Sequence, residues 1–400
     1  MMVVGTSMSN DLMKKICQDK KRMRIKNNDI AKALKVSGGA VTQYFSEGEQ
    51  IRIGLFHFTK LIELVYENDV ETQRELLFGF IRSTDRPINL RLGLEYAYMN
   101  GETEILQYII EKELNGKRPN DEWAAVYYLL LMRIKGNLRG AELLKATEDL
   151  TTQRKLKQNE MRILVHIIKM YAYFDMDEHG SMLKLTKELP EVISTISDPY
   201  IKEAYYVRML EGYAHGYLRD NDLENARKTA LELTRGGYST KFPLFVSTGY
   251  HVLGQSYLFE NFDEIENNIK AGLSILEKYS SPTMIARKKE INKTYDFAMV
   301  YWSKNVEEER QLNDGERLHL MVKEGKKEEA HNLLEYLEKK NGRLSAFQIY
   351  YKGLLENDAL LYRKSLELFR KQGNKFYLKL PLIQLQKLSK DKDEKLELIW

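Results

Sequence analysis

The chain has 400 residues, 43% of them hydrophobic and 30% charged, with a formal net charge of +4 and a single cysteine. That length and apolar content support a large folded core and exclude wholesale disorder. Cys17 alone excludes an intrachain disulfide framework and any multi-cysteine zinc site. No charge-free run approaches the ~18 apolar residues of a transmembrane helix, and the start, MMVVGTSMSN, lacks the basic and apolar regions of a signal peptide. A cytoplasmic protein with no membrane partner is expected.

Seven prolines in 400 residues favour long helices, because proline removes a helix donor and clashes with the preceding turn. Charge is uneven, +6 over residues 1–60 and −2 over the rest. A basic head on a faintly acidic body is the asymmetry expected when only the head meets a polyanion. Within the head, residues 27–51 read NNDIAKALKVSGGAVTQYFSEGEQI. Asp29 is expected to cap a short helix carrying Ile30, Ala31 and Leu34 on one face. The run from Lys35 to Gly39 supplies a turn, and Ser37 is expected to cap a second helix from Ala40 to Phe45. Val36 and Val41 would share the core beneath. Leu55, Phe58, Ile62 and Val65 recur at helical spacing and would close the bundle.

This pattern resembles the helix-turn-helix DNA-binding domain of the phage-repressor type, over about residues 8–66. In that fold the second helix enters the major groove by its N-terminal end. The resemblance implies that Gln43 pairs with adenine and Thr42 contacts a thymine methyl or a phosphate. Lys20, Lys21, Arg22, Arg24 and Lys26 would hold phosphates. Asn27, Asn28, Ser37, Gly38, Gly39 and Tyr44 complete the expected DNA surface. Gly38 and Gly39 stand where such repressors usually place polar base readers. Part of the specificity is therefore expected from DNA shape and dimer spacing. The same core would also serve a helical hairpin used for protein contact.

From about residue 70, amphipathic helices alternate with short turns marked at Gly101, Gly136, Asn221, Asn261 and Gly325. Their loose period is close to the ~34 residues of tetratricopeptide (TPR) repeats. Leu210, Ala214, Tyr217, Ala226, Ala230, Leu253, Gly254 and Tyr257 fit the packing positions of such repeats. The prolines at 87, 119, 190, 199, 243, 282 and 381 fall where turns are expected. The expected fold class is all-α. A helix-turn-helix domain would occupy residues 1–66, a TPR-like α-solenoid 67–375, and capping or dimerisation helices 376–400. Tyr377, Leu380, Leu382, Leu385, Leu388, Leu396, Leu398, Ile399 and Trp400 give that last segment an exposed-looking apolar end.

Stacked helix pairs bury a continuous core and form a curved groove suited to extended peptides. By position in their repeats, Arg162, Lys169, Arg208, Glu211, His215, His251, Gln255, Asn292, Tyr295 and Met299 are expected to face it. No catalytic constellation accompanies them. None of the seven histidines forms the i, i+4 pair of a zinc protease helix. The acidic stretch from Asp175 to His179 lacks the glycine and closing glutamate of a calcium loop, so it reads as a solvated turn. Cys17 shares an apolar face with Leu12, Met13 and Ile16, which predicts a buried structural thiol. No enzyme, metal or cofactor is expected.

A basic helix-turn-helix followed by helical repeats resembles the peptide-responsive regulators of Gram-positive bacteria and their phages, the RRNPP group. Within it, the chain looks most like the arbitrium receptors (AimR) of Bacillus temperate phages. The resemblance is carried by Asn28–Phe45, Gly136–Ala141, Leu210–Ala230 and Leu253–Tyr257. It implies a homodimeric transcription factor on double-stranded operator DNA that controls the phage lysis–lysogeny decision. The peptide-free protein would activate its target promoter, and a short secreted peptide, a hexapeptide ending Arg-Gly-Ala, would silence it. Glu211 or Asp296 would then take the guanidinium, and Arg208, Arg162 or Lys169 the carboxylate. A quorum sensor activated by peptide and a repeat scaffold with a non-reading head remain open on these residues.

Overall fold

The computed structural model describes residues 4–46, 53–114, 118–238, 241–306 and 311–390, and every regular element among them is helical. The head comprises α1 (Val4–Arg22), α2 (Asn27–Leu34), α3 (Gly38–Tyr44), α4 (Leu55–Val65) and α5 (Val70–Ser83). Met13 and Ile16, Ile30 and Leu34, Val41, and Phe58 and Ile62 bury one core from α1 to α4. Phe58 stacks on Phe80 with ring centroids 4.3 Å apart, so this core runs on past residue 66 into α5. Cys17 is half-buried rather than buried.

Two local details differ from expectation. Asp29 is the third residue of α2, and Lys26 takes the cap position, its N–H donating to the Asp29 carboxylate at 2.9 Å. A carboxylate in the first turn faces the positive end of the helix dipole, so Asp29 favours α2 from inside it. Ser37 does cap α3, accepting the Ala40 N–H at 3.2 Å, and the helix therefore starts at Gly38 rather than Ala40.

The body opens with α6 (Pro87–Met99), α7 (Thr103–Leu114), α8 (Asp121–Ile134), α9 (Gly140–Gln153), α10 (Asn159–Asp175), α11 (His179–Leu185) and α12 (Leu189–Ser194). Its middle is α13 (Pro199–Arg219), α14 (Leu223–Leu233), α15 (Pro243–Ser256), α16 (Phe262–Leu276) and α17 (Pro282–Trp302). It continues with α18 (Asp314–Lys323), α19 (Lys327–Asn341), α20 (Ala346–Glu356), α21 (Ala359–Lys371) and α22 (Lys379–Lys390). Consecutive helices pack as pairs, and pairs stack on pairs. Gly101, Gly136, Asn221 and Gly325 turn the chain with φ of 69°, 77°, 64° and 73°. Asn261 caps α16 instead. Asp177, inside the acidic stretch read as a turn, and Asn357, which was not marked, make two further left-handed turns. Pro87, Pro199, Pro243 and Pro282 each open a helix, where no backbone donor is lost. Ala214, Ala226 and Ala230 are fully buried between α13 and α14, so the repeat packing positions hold. The fold is an α-solenoid carrying a helix-turn-helix.

The solenoid also closes on itself. A Cβ on Gly101 would lie 2.7 Å from the Thr283 Cβ, so the α6–α7 turn rests directly on the start of α17. Gly373, at φ 58°, sits so close to the Asp177 carbonyl that a Cβ would come within 2.3 Å of its oxygen. Lys375 pairs with Asp220 at 2.6 Å, and the Phe376 N–H donates to the Arg219 carbonyl at 3.3 Å. The segment before α22 is thereby strapped to the middle repeats. Tyr377, Leu380 and Leu385 are at most 7% exposed and belong to this chain's own core, not to an apolar end. Leu396, Leu398, Ile399 and Trp400 lie outside the described residues. Among the described residues no helix is long and apolar enough to cross a membrane.

Candidate functional site

In the head, Thr42 and Gln43 are exposed on α3 beside Gly38 and Gly39. A Cβ at Gly38 would meet nothing within 4 Å, so packing does not require glycine there, and the helix start is bare backbone. The Thr42 hydroxyl donates to the Gly38 carbonyl at 3.1 Å. Lys21, Arg22, Arg24 and Lys26 are exposed along the end of α1 and the turn into α2, and Asn28 is exposed at the start of α2. Four expected DNA contacts have other employment. Lys20 is 7% exposed, its ammonium donating to the Asn27 side chain at 2.5 Å beneath the Phe45 ring. Lys20 thereby joins α1 to α2 instead of reaching outward, while Asn27 stays exposed. The Tyr44 hydroxyl is tied to His57 of α4 at 3.0 Å. Ser37 is spent on its cap.

In the body, α13 places Glu211, His215 and Arg219 along one stripe, since steps of four residues keep to one helix face. Thr248 and His251 of α15, and Arg287 and Thr294 of α17, meet it. Glu211 accepts from the Thr248 hydroxyl and the Arg287 guanidinium, each at 3.4 Å. Both distances are long for hydrogen bonds. Burial raises the Glu211 carboxyl above its usual range, against the lowering influence of Arg287. His251 shares a 2.7 Å hydrogen bond with Thr294. The His215 ring lies 5.6 Å from that of Phe174. Arg133 forks onto Asp175 at 2.8 and 2.9 Å, with its guanidinium over the Tyr171 ring, so Asp175 is half of a structural ion pair, while Asp177 and Glu178 stay exposed in the turn expected there.

Burial pushes His251 down to about 3 and His179 down to about 4, with neighbouring arginines adding to both shifts, and holds His215 well below its ordinary value. These rings are neutral at pH 7. Unfolded, they bind protons near 6.5, so the unfolded chain holds more protons than the folded one between about pH 3 and 6.5. Stability is thus fully present above the unfolded value and is lost as pH falls through it. Urea midpoints should drop between pH 7 and pH 4.5, and His251→Gln should flatten that drop; a pH-independent midpoint would show that these rings are protonated in the fold.

Other expected groove residues are placed elsewhere. Arg208 is fully buried, donating to Glu95 of α6 at 2.8 Å and stacked over Tyr98. Tyr127 also donates to Glu95. Arg208 thus joins the first body helix to α13 and presents no free charge. Arg162 and Lys169 lie on the face of α10 opposite Tyr171, because two residues advance a helix by about 200°. Tyr295 donates to Glu266 of α16 at 2.5 Å, Met299 is 2% exposed, and Asp296 is also buried. Asn292 is half-buried on the same helix. Gln255 donates to the Tyr377 hydroxyl at 2.7 Å and so holds the C-terminal strap. Glu211, His215 and His251 are the expected residues that do come together. Arg287, Thr248, Thr294 and Arg219 were missed. Continuing the α13 spacing by one turn would have found Arg219, whereas Arg287 depends on how α17 crosses the groove.

The model of the family described as AimR transcriptional regulator-like matches residues 73–387. The chain belongs to that family. It is 25% identical over 344 residues to the AimR transcriptional regulator of Bacillus phage SPbeta, covering 84% of this chain and 86% of the relative. The AimR transcriptional regulator of Bacillus phage phi3T is likewise 25% identical, over 340 residues, 83% of this chain and 86% of its own. An uncharacterized Bacillus anthracis protein is 28% identical over 261 residues, 65% of this chain and 97% of its own. The solved structure of SeMet-phAimR has the same fold, with a TM-score of 0.73 at 22% identity, covering 94% of this chain and 97% of that one. The phAimR–ligand structure gives 0.72 at 22%, covering 86% and 100%. This AimR-family protein therefore has transcriptional regulators, not enzymes, as its named relatives. Among its described residues no group of three or more metal-ligating side chains is assembled.

Proposed function

We propose that this protein is a peptide-responsive transcriptional regulator acting in the host bacterial cytoplasm as a homodimer on double-stranded operator DNA. The observation that carries this reading is one helix. Through α17, the polar groove is mechanically continuous with the repeats that hold the basic head. Its N-terminal turn rests on Gly101, its Arg287 meets Glu211, and its Thr294 holds His251. A peptide laid along the groove displaces the long Glu211–Arg287 contact and shifts α17. Across the interior, the Arg208–Glu95 pair binds α13 to α6. Phe56 of α4 lies 4.3 Å from the Tyr200 ring of α13, which brings the head onto the same helix. Peptide binding then selects one solenoid curvature and with it one spacing of two heads. For a 30–150-fold effect on DNA, the peptide must bind one state better by ~2–3 kcal/mol.

By likeness to its phage relatives, the peptide-free form activates a promoter in the lysis–lysogeny decision, and a hexapeptide ending Arg-Gly-Ala silences it. Glu211 takes the guanidinium, and Arg219 and Arg287 are the cations of the groove nearest for the carboxylate. Calorimetry of the full chain with a synthetic hexapeptide of that ending, taken from the adjoining reading frame, tests this. Glu211→Gln should weaken binding by about tenfold or more, as a charged hydrogen bond contributes ~1.5–3 kcal/mol. Unchanged affinity in that variant, or no heat with the parent protein, defeats the assignment.

A further inference from the structure

A second polar cleft lies away from the groove, where the head meets the body. It is walled by Thr59, Ile62 and Glu63 of α4, by Gln73, Arg74 and Leu77 of α5, by Tyr96 and Asn100 at the end of α6, and by Tyr279 from the connection between α16 and α17. Glu102, just beyond α6, completes it. The space amounts to about 50 Å³. A single water needs ~10–15 Å³ by the same measure, so a few waters or one compact polar head group fit, and a whole drug-sized ligand does not.

Acceptors and negative charge dominate the lining. Arg74 supplies its one cation, and Arg74 is already held by Glu102 at 2.7 Å and Glu104 at 2.9 Å, with Glu71 also beside it. Asn100 is 8% exposed; its amide donates to the Tyr96 carbonyl at 3.0 Å, and its Oδ1 has no hydrogen-bond partner among the described residues. Thr59, 5% exposed, spends its proton on the Phe56 carbonyl and keeps its lone pairs. Loss of solvent raises the Glu102 carboxyl against the lowering influence of Arg74, and raises Glu63 against that of Lys278, although Glu63 keeps an exposed edge. The cations facing Glu63 are Lys278 and Lys60, and the Lys278 ammonium lies 5.4 Å from the Tyr279 ring. Two tyrosines beside unpaired carboxylate suit an organic cation, because an aromatic face attracts an ammonium or guanidinium whose hydration is readily shed. The set lacks the three clustered ligands a metal would require.

We propose that this junction cleft is a second ligand site, taking the guanidinium or alkylammonium head of an organic cation between Tyr96 and Tyr279, with Glu63, Asn100 and Thr59 as its acceptors. Its walls belong to α4 of the head and to the turn leading into α17, so an occupant braces the head against the body. The proposal is independent of peptide binding in the groove.

Calorimetric titration of the full chain with agmatine, and in a second arm with N-acetyl-arginine amide, tests it. Saturable binding of agmatine in the millimolar range is expected. Binding of the capped arginine as well would identify a side chain of a partner polypeptide as an admissible source, and agmatine alone a free small cation. Glu63→Gln should weaken binding at least fivefold, with the melting temperature confirming an intact fold. Lys278→Ala should tighten it by removing a competing cation, and the groove variant Glu211→Gln should leave it unchanged. Absence of saturation, indifference to both Glu63→Gln and Lys278→Ala, or loss of binding in Glu211→Gln overturns the proposal.

Discussion

Arg208→Met is expected to destabilise the fold by about 3–5 kcal/mol, the usual consequence of leaving one member of a buried ion pair without its partner. Both side chains of the Arg208–Glu95 pair are 0% exposed. The pair is also incompletely satisfied, because Glu95 Oε1 and Arg208 Nη1 have no hydrogen-bond partner. Once the guanidinium is gone, the Tyr127 hydroxyl is the one hydrogen-bond donor that Glu95 keeps among the described residues. Burial already raises the Glu95 carboxyl, and Arg208 is the charge that opposes this. Without the guanidinium the carboxyl rises further and takes up a proton in the fold. A raised folded value means that the folded chain binds the proton more tightly than the unfolded one, so stability is present at low pH and lost as pH rises. The defect in Arg208→Met should accordingly be smaller at pH 5 than at pH 8, which urea unfolding at the two values will read. The double variant Glu95→Gln with Arg208→Met should recover most of the stability. A single variant as stable as its parent would show that the pair does not bind α6 to α13.

Thr42→Ala combined with Gln43→Ala should abolish sequence-specific DNA binding while leaving the melting temperature within about a degree of the parent, since both side chains are exposed. A bidentate base contact contributes ~1–3 kcal/mol of discrimination, so the loss of Gln43 alone is worth roughly 5–150-fold on a duplex selected from genomic fragments. Affinity for shuffled duplex should hardly move. Arg24→Ala and Lys21→Ala make the contrast. They should weaken binding to every sequence and reduce the salt slope by about one for each phosphate contact removed. Lys20→Ala should instead lower the stability of the head, because that ammonium is buried between α1 and α2. Equal affinity of the Thr42/Gln43 double variant for selected and shuffled DNA, matched by the same equality in the parent, would make the head a protein-contact module.

The two parts of this protein were legible from sequence to different depths. In the head, everything needed is local. The alternation of Ile30, Leu34 and Val41, the serine cap and the short turn lie within a dozen residues, and the helices formed there almost as read. Lys20 and Tyr44 were read as facing DNA, and the cause of the difference is tertiary: the packing of α1 against α2 and Phe45 removes the Lys20 ammonium from solvent, and His57 of α4 takes the Tyr44 hydroxyl. The solenoid was legible as an architecture for the same reason, since turn residues and small packing positions act within one helix pair. The left-handed turn at Asn357 was not among the marked ones.

The groove is another matter. Counting positions along each helix assumes a regular repeat, and these repeats are irregular in length and crossing. Glu211, His215 and His251 come together in space, whereas Arg162 and Lys169 fall on the far side of α10 and Arg208 turns inward to Glu95. Partners such as Glu95 and Arg208, 113 residues apart, or Gln255 and Tyr377, 122 apart, leave no trace in local spacing. Sequence by itself determined which segments become helices and which face of each is apolar, because those depend on neighbours three and four residues away. Which charges end up paired, sunk or presented was decided only when the solenoid curled far enough for distant helices to touch, since the energy of a charge is set by whatever surrounds it in space.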